Sequence, residues 1–448
     1  MKKKILLISP EYNYPYTGGM YPNGGLLSIG TILHNMGCEV GIVHMIPDKR
    51  DAKFIKHLVM AFQPDIVGLS VTTFQTKSTK VITKLVKEVN PDVQVIIGGS
   101  HPSALREEVL TDFPDVDIAV LGEGERTIQE IVDNKRLQGI KGICYRVGTE
   151  EVITATRPLI KNLDDLPLPN LDLIQLGNFS CPAPIGQTPS MSVMGSRGCP
   201  FHCQFCSKAI FGNSVRLRSP VRVVDEVSML HKAWGIREIF FLDDTFNLKR
   251  DWAMEIFELL IKRGLNKLRY KIPFRVNEKL VDVELLKLAK RAGVWLIFYG
   301  VESGNQDMLD RMHKGIKLEE IRRAFRLTHE AGIKTIASFI VGYPGETNET
   351  VRQSLAFAKE IKPFWVGFSR LTPFPGTGVE AIVKSNNHLL DDNYDNYRPD
   401  KVLARTHALS GDDIDRWAKR LDGWAYNSKI RHLLADPIMA YRVFRSRH

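Results

Sequence analysis

Cysteine is scarce in this 448-residue sequence, and long apolar runs are missing from it. Six cysteines in a chain of this length exclude a disulfide framework of the kind that holds small secreted domains together. No apolar segment is long enough to span a membrane. The apolar run in MKKKILLISP is too short for a signal peptide and is typical of a β-strand. These features predict a cytoplasmic protein whose thiols stay reduced.

Repeated pairs of aromatic and basic residues, which are typical of nucleic-acid platforms, are also missing. The net charge is +10, and residues 401–448 hold ten Lys or Arg against five Asp, so half of the excess is local. We therefore expect no nucleic acid among the partners. The excess of positive charge is compatible with a lysine-rich surface, with an anionic or lipid-like substrate, or with a contact to a membrane surface.

Five apolar segments alternate with helical patterns in residues 1–150. The segments KILLISP, EVGIVHM, DIVGLSVT, VQVIIGG and IAVLGEG are rich in Val and Ile, as strands of a parallel sheet covered on both faces are. This pattern predicts a doubly wound, flavodoxin-like α/β domain, in which ligands bind where the strands end. The glycines at these ends either admit a ligand close to the backbone or simply end the strands. The candidate binding residues are Ser70, Thr72, Gly98, Gly99, His101, Gly122, Glu123 and Gly124.

A linker is predicted for residues 151–190, which are rich in Pro and Asp, because Pro disfavours both helix and central strand. Six further strand and helix units in residues 191–380 predict a partial (β/α)6 barrel of the TIM type. Polar and glycine-rich clusters follow its strands, at the rim where such barrels carry their chemistry. These clusters are Asp243 and Asp244, Arg275 and Asn277, Glu302 to Gly304, and Gly342 to Glu346.

Residues 381–448 predict a helical extension, with the amphipathic segments DDIDRWAKRLDGWAYNSKIRHLLADP and IMAYRVFRSRH. We expect a helical cap over the mouth of the barrel. A gate for the substrate or a membrane-surface contact is the alternative, since basic amphipathic helices with aromatic residues serve both purposes.

Half of the cysteines lie in the segment GCPFHCQFCSK, directly after the first strand of the barrel. Cys199, Cys203 and Cys206 are soft ligands that suit zinc, copper(I) or an iron–sulfur cluster. Structural zinc needs a fourth ligand, for which only His202 or the remote Cys181 is at hand. A 4Fe–4S cluster is normally held by four thiolates, so three leave one iron open for catalysis. The spacing favours such a cluster over zinc or a disulfide.

The C-x3-C-x2-C spacing after the first barrel strand resembles the radical S-adenosylmethionine superfamily, as does the aromatic Phe205 before the third cysteine. GGSHP at 98–102 and LGEGERT at 121–127 resemble the cobalamin-binding domain found in one branch of that superfamily. The resemblance thus covers both predicted domains. Further matching segments in the barrel are FLDDTF at 241–246, GVESG at 300–304, FIVGYPGET at 339–347 and PFPGT at 373–377.

The resemblance implies three cofactors: a 4Fe–4S cluster, S-adenosylmethionine and cobalamin. The three cysteines would hold the cluster, whose open iron binds the methionyl group, and one electron then yields methionine and a 5′-deoxyadenosyl radical. Phe205 would shield the cluster, and Asp243 or Asp244 would hold the methionyl ammonium unless that Asp is a helix cap. Arg275 and Asn277 would meet substrate or cofactor, or form an ordinary salt bridge. The other implied contacts to S-adenosylmethionine are Glu302, Ser303, Gly342, Pro344, Gly345 and the strand end at 371–377.

The D-x-H-x-x-G motif, whose histidine binds cobalt in some cobalamin proteins, is not found in this sequence. The resembling branch commonly lacks it, so the motif's absence does not argue against cobalamin. The strand-end residues between Ser70 and Gly124 would make the cobalamin contacts. A degenerate domain that binds nothing is the alternative.

The resemblance implies methylation of an unactivated carbon, with cobalamin as the methyl carrier. Radical rearrangement, cyclisation, oxidation or dehydration of a small-molecule or lipid substrate is the alternative, and a sensor without catalysis is a third. An external electron donor such as flavodoxin or ferredoxin is expected. The sequence identifies neither the substrate nor a catalytic acid or base, because fold and cofactor do not fix the substrate.

Overall fold

Two largely parallel sheets organise the computed structural model of this chain. The structure describes residues 2–15, 19–133, 135–148, 150–179 and 187–434. Cys181 and the segment IMAYRVFRSRH at 438–448, both named by the sequence predictions, lie outside these residues. The part of the chain that is described has no helix long and apolar enough to cross a membrane.

The first sheet confirms the predicted doubly wound domain. Its strands are β1 (Lys4–Ser9), β2 (Glu39–His44), β3 (Ile66–Ser70), β4 (Gln94–Gly98), β5 (Ile118–Val120), β6 (Ile143–Val147) and β7 (Glu150–Ile153). The parallel part has the order β2-β1-β3-β4-β5, which is the flavodoxin-like order. Apolar side chains on both faces are buried under helices, because the parallel strands β1 to β5 are apolar at most positions.

An antiparallel hairpin of β6 and β7 extends this sheet beyond β5. The sequence pattern does not predict this hairpin, because its strands are short and partly polar. The predicted domain border at residue 150 falls on the first residue of β7, so the sheet runs a few residues into the predicted linker.

The second sheet forms the predicted partial barrel. Its strands are β8 (Ser190–Val193), β11 (Glu238–Phe241), β12 (Arg269–Phe274), β13 (Val294–Glu302), β14 (Lys334–Val341) and β15 (Trp365–Arg370). All are parallel in the order β15-β14-β13-β12-β11-β8, so β8 and β15 form two edges and the barrel stays open between them. A two-stranded antiparallel ribbon, β9 (Ser196–Arg197) and β10 (Arg216–Leu217), follows β8.

The helices follow the strands as the alternating pattern predicts. In the first domain they are α1 (Gly24–Asn35), α2 (Ala52–Phe62), α3 (Thr76–Val89), α4 (Ser100–Leu105), α5 (Val109–Asp112) and α6 (Glu125–Val132). After the linker they are α7 (Pro220–Trp234), α8 (Arg250–Lys262), α9 (Val283–Arg291), α10 (Gln306–Arg311), α11 (Leu318–Glu330), α12 (Asn348–Ile361), α13 (Gly378–Ser385) and α14 (Gly411–Leu434). Side-chain caps fix several starts: Asn23, Ser219 and Asp282 each accept a backbone N–H three residues on.

Helix α14 packs on the outside of the barrel rather than over its mouth. Ile414, Trp417 and Leu421 are buried in the same core as Phe368 of β15, and the Phe368 and Trp424 rings lie 6.2 Å apart. These apolar residues recur at helical spacing, so the helix covers the outer face of the edge strand. The prediction of a cap over the mouth was therefore wrong for α14, which completes the outer helical layer.

A short segment after α13, residues 394–397, returns to the first domain, and we call it the strap. The hydroxyl of Thr76 donates to the carbonyl oxygen of Tyr394 over 3.0 Å, and Lys80 pairs with Asp395 at 3.1 Å. The ring of Tyr394 lies 5.0 Å from that of His101. The strap thus joins the C-terminal part of the chain to the end of β4.

Candidate active site

The three cysteines lie on one loop, residues 198–215, that the β9–β10 ribbon closes at its base. Gly198 opens the loop with a φ of +87°, and a Cβ there would lie 2.4 Å from the carbonyl oxygen of Ser214. Only glycine fits this position, because an L side chain would meet backbone. The Nζ of Lys208 donates to the carbonyl oxygen of Cys199 over 2.8 Å and steadies the loop from within.

The donor chemistry of this loop fits an iron–sulfur cluster better than a single ion. Cys206 is exposed, whereas Cys199 and Cys203 are half-buried. Among the described residues, no His, Cys, Asp and Glu side chains come together in a group that could hold one metal ion. Structural zinc needs its ligands around one point. An iron–sulfur cluster does not need its ligands around one point, because each thiolate binds a different iron.

Arg275 holds the cysteine loop against the rim. Its guanidinium lies 3.5 Å from the Phe201 ring centroid, and its Nη1 lies 3.9 Å from the Sγ of Cys203. The Nε of Arg275 donates to the Oδ1 of Asn277 over 2.6 Å, and its Nη2 donates to the carbonyl oxygen of Lys314. These contacts do not support the predicted salt bridge, and a contact with substrate or cofactor stays a prediction. Arg275 forms no carboxylate salt bridge in the described structure, and its donors are directed to the loop and its neighbours.

The two aspartates after β11 have different roles, which the sequence could not separate. Asp243 is buried and accepts hydrogen bonds from the backbone N–H of Gly195 over 3.1 Å and from the hydroxyl of Ser196 over 2.5 Å. Burial raises its pKa to about 6. Asp243 therefore fixes the turn between β8 and β9, whereas Asp244 is exposed on the side of Gly198 and Lys208. Asp244 is the better placed of the two for a ligand.

Glu302 is the last residue of β13 and Ser303 follows it, and both side chains have hydrogen-bond partners. Glu302 has a φ of +67° and pairs with Lys314 at 2.8 Å, a strained backbone of the kind that gathers at functional sites. The Nζ of Lys314 also lies 5.5 Å from the Phe205 ring. The hydroxyl of Ser303 is buried and contacts Ser354 at 3.3 Å. Ser303 is therefore placed to support the rim rather than to reach a ligand.

A glycine-rich turn after β14 brings Gly342, Pro344 and Gly345 to the same rim. Gly342 and Gly345 have φ values of +87° and +96°, which favour glycine at both positions. The buried carboxylate of Glu346 accepts the N–H of Gly342 over 2.5 Å and closes the turn. No cation lies beside it in the described structure, and burial raises its pKa to about 8.

We expect the Glu346 carboxyl to make stability fall as pH rises. Its folded pKa of about 8 lies above the ordinary value of 4.5, so between these values the native state binds more protons than the unfolded state. The free-energy cost of ionising Glu346 in the folded protein is therefore absent below pH 4.5 and complete above about pH 8. Urea unfolding at pH 5.5 and pH 8.5 should therefore show a smaller loss of unfolding free energy in Glu346→Gln than in wild type. An equal loss in both proteins would contradict this assignment.

A cavity of about 380 Å³ lies where the first domain faces β8 and the cysteine loop. Of the predicted cobalamin contacts, Ser70, Thr72, Gly98, Gly99, Gly122, Glu123 and Gly124 line it, together with the start of α1. A Cβ built on Gly24 or Gly122 would meet no atom within 4 Å, so at these points bare backbone faces open space. A ligand can approach this wall closely, which is what a large planar cofactor requires.

His101 does not reach this cavity. Its side chain is fully buried, with Nδ1 3.1 Å from the hydroxyl of Thr73 and Nε2 3.7 Å from Asp112. Burial lowers the pKa of His101, so the ring is neutral near pH 7. The prediction of a cobalamin contact is not supported at this position, because the ring packs under Tyr394 of the strap.

Glu123 lines the cavity, but its carboxylate binds two arginines from the second domain. Its oxygens lie 2.7 Å from Arg197 and 2.8 Å from Arg216, and a second acid, Glu125, lies 2.7 Å from Arg197. The sequence pattern did not indicate Glu125, Arg197 or Arg216 as site residues. Their only signal was position, since the arginines flank the cysteine loop and the acids follow β5.

The lumen of the barrel is open on the side of β14 and β15. Ser338, Gly367 and Ser369 are exposed although they lie within β14 and the edge strand β15. On the opposite side, the rings of Phe240 and Phe298 lie 5.0 Å apart and are half-buried. A packed TIM barrel would fill this space with side chains. Here the exposed small residues indicate an unfilled chamber in the lumen, with the two rings on its other wall.

Comparison with known proteins connects these sites to two families. The model of the radical SAM superfamily matches residues 193–358, and that of the B12 binding domain matches residues 16–132. An uncharacterized methyltransferase from Pyrococcus horikoshii is 33% identical over 416 residues, covering 91% of this chain and 89% of that protein. An anaerobic magnesium-protoporphyrin IX monomethyl ester cyclase from Cereibacter sphaeroides is 32% identical over 424 residues, covering 91% of this chain and 69% of that protein.

Solved structures share the fold. The radical S-adenosylmethionine methyltransferase TsrM from Kitasatospora setae, with cobalamin and a [4Fe-4S] cluster bound, has a TM-score of 0.70 and 21% identity, covering 86% of this chain and 75% of its own. The cobalamin-dependent radical enzyme OxsB, with aqua-cobalamin and S-adenosylmethionine bound, has a TM-score of 0.75 and 19% identity, covering 94% of this chain and 66% of its own. Both likenesses extend over more than four fifths of this chain.

Proposed function

The chain belongs to the radical S-adenosylmethionine superfamily, with a B12-binding domain ahead of its barrel, and on this premise we propose that it methylates an unactivated carbon of a small molecule. The observation that carries the proposal is the position of the B12-family cavity, which abuts the cysteine loop. When bound, the cluster supplies the electron that cleaves S-adenosylmethionine, and cobalamin supplies a methyl carrier. The protein's own residues bind, orient and shield these groups.

Cys199, Cys203 and Cys206 would hold the cluster, and Asp244 would hold the ammonium of S-adenosylmethionine by a charge-assisted hydrogen bond. Glu302 is neutralised by Lys314, so this pair would offer hydrogen bonds without net charge. Phe205 packs against the apolar cluster that contains Tyr343 and Met312, and would keep water from the inner side of the loop. The turn from Gly342 to Gly345 would contact the nucleoside through its backbone N–H and C=O groups.

The substrate would enter the open lumen. Its walls are the rings of Tyr21, Phe240 and Phe298 and the small side chains of β14 and β15. The pair of Lys271 and Glu238 below is buried and mutually neutralised at 2.9 Å. The chamber therefore suits a molecule with an apolar body better than a polyanion, despite the overall charge of +10. Cys206 is exposed, which would let an external donor such as flavodoxin or ferredoxin deliver the electron.

Radical cyclisation without methyl transfer is the second candidate, because a cyclase is among the relatives above 30% identity. The two reactions leave different products of S-adenosylmethionine. Methyl transfer consumes two molecules, giving S-adenosylhomocysteine for the methyl group and 5′-deoxyadenosine for the radical. Cyclisation gives 5′-deoxyadenosine alone.

The test is anaerobic purification with cobalamin supplied, followed by assays of iron, sulfide and cobalamin and by product analysis under a strong reductant. About four irons per chain are expected for a single 4Fe–4S cluster, with one cobalamin and both nucleoside products. A cluster with 5′-deoxyadenosine but no S-adenosylhomocysteine would favour cyclisation. A protein that retains no iron and cleaves no S-adenosylmethionine would contradict the proposal.

A further inference from the structure

Two arginines face each other at the base of the cysteine loop. Arg197 on β9 and Arg216 on β10 are directly paired across the ribbon. Their side chains are only 12% and 9% exposed. Like charges opposite each other destabilise a strand pair, and burial increases the cost. The ribbon therefore needs anions beside it to keep this geometry.

Those anions come from the other domain. Within the described residues, the only carboxylates paired with Arg197 and Arg216 are Glu123 and Glu125, whose side chains are 3% and 7% exposed. Glu123 contacts both arginines, and Glu125 contacts Arg197. Two acids match two bases, so the buried group is neutral as a whole and each charge has a partner.

One end of this group sets the shape of the cysteine loop. The guanidinium of Arg197 lies 5.2 Å from the ring of Phe211, and Arg216 donates to the carbonyl oxygen of the same residue over 3.4 Å. Arg197 is also two residues before Cys199, separated from it by the constrained Gly198. A shift of either arginine would therefore move the loop that carries the thiols.

The two glutamates of this group form part of the wall of the B12-family cavity. Residues 122–125 line that cavity, and Glu125 also accepts a hydrogen bond from Ser28 of α1 over 3.2 Å. Glu123 accepts the backbone N–H of Ile160 in the linker over 2.8 Å. The same two carboxylates thus fix the cavity wall, the linker and the base of the cysteine loop.

We propose that Glu123, Glu125, Arg197 and Arg216 form an interdomain clamp that couples cobalamin binding to cluster binding. The inference rests on the proposed function only in requiring that both cofactors bind. These are positioning residues, because they act through the two loops rather than on a reacting atom. Coupling of this kind is reciprocal, so each cofactor should tighten the binding of the other by the same factor.

The test is absorbance titration of hydroxocobalamin into anaerobic full-length protein, with and without the reconstituted cluster. In wild type we expect the cluster to lower the Kd of cobalamin about tenfold, within the usual range of coupling between sites. In Arg197→Lys, which keeps the charge but loses the two-pronged contact to Glu123 and Glu125, the two Kd values should become equal. Glu123→Gln should show the same loss.

The matched control is Arg250→Gln, which removes an ion pair to Asp282 at 2.7 Å on the outside of the barrel. It should keep the wild-type ratio of Kd values. Should Glu123→Gln not fold because it leaves an arginine buried without its partner, Arg197→Lys decides the outcome. A wild-type ratio near one, or an unchanged ratio in Arg197→Lys, overturns the clamp but leaves the proposed function standing. Wild type that binds neither cofactor overturns both.

Discussion

Alanine at Cys199, Cys203 or Cys206 will remove iron from the reconstituted protein and lower the formation of 5′-deoxyadenosine by more than about a thousandfold, or about 4 kcal/mol in the barrier. In the proposed site each thiolate would bind its own iron, and the cluster would already have one protein ligand fewer than the usual four. Neither the described His and acidic side chains nor the nearby Thr245, whose hydroxyl lies 3.9 Å from Cys199, form a substitute ligand set. Iron and sulfide assays with chromatography of the nucleoside products measure both effects.

Cys144→Ala is the matched control for these variants. Cys144 lies in β6, is 1% exposed, and has a thiol whose pKa burial raises to about 11. Such a thiol does not ionise to bind iron at neutral pH. The control should retain wild-type iron and 5′-deoxyadenosine. Full iron content in any one of the three loop variants would show that the corresponding cysteine is not a ligand.

Gly99→Ala will disrupt the cavity edge of the first domain, whereas Gly98→Ala will not. Gly99 has a φ of +107°, and a Cβ there would lie 2.7 Å from the carbonyl oxygen and 2.9 Å from the nitrogen of Val71. Both neighbours are backbone atoms of the adjoining strand end, and they are held by hydrogen bonds to Gly98 and His101. The strained backbone and the overlap together cost about 3 kcal/mol or more of unfolding free energy.

At Gly98 the nearest atom to a Cβ would be the Cβ of Val120, at 3.6 Å, which is an ordinary contact. Urea unfolding should therefore give Gly98→Ala a stability close to that of wild type. Titration with hydroxocobalamin should show the affinity lost in Gly99→Ala, since the strand ends that line the cavity must shift. Equal stability of the two variants would refute the steric argument.

The sequence predicted the two sheets because their strands are apolar, β-branched runs that alternate with helical patterns. It predicted the cysteine loop because the ligand spacing is local to eleven residues, GCPFHCQFCSK. The hairpin of β6 and β7 escaped prediction because its strands are short and carry charged residues such as Arg146 and Glu151.

Side-chain roles were harder to predict where the partner lies far away in the chain. Glu123 and His101 follow strands of the first domain in the way that ligand-binding residues do, yet one binds arginines from the second domain and the other packs under Tyr394. The difference between Asp243 and Asp244 depends on which of two adjacent carboxylates is buried. That is decided by the turn at Gly195 and Ser196, which spacing alone does not reveal.

The strap has a consequence for how the protein is made. His101 and Thr76 belong to the first domain, but the Tyr394 that covers them is synthesised roughly 300 residues later, which at ribosomal speed is a delay of tens of seconds. During that time this edge of the domain has no cover, and the barrel opposite its cavity is still incomplete. We therefore expect a bulky cofactor to be loaded most easily onto the nascent chain, before its last part closes the two halves together.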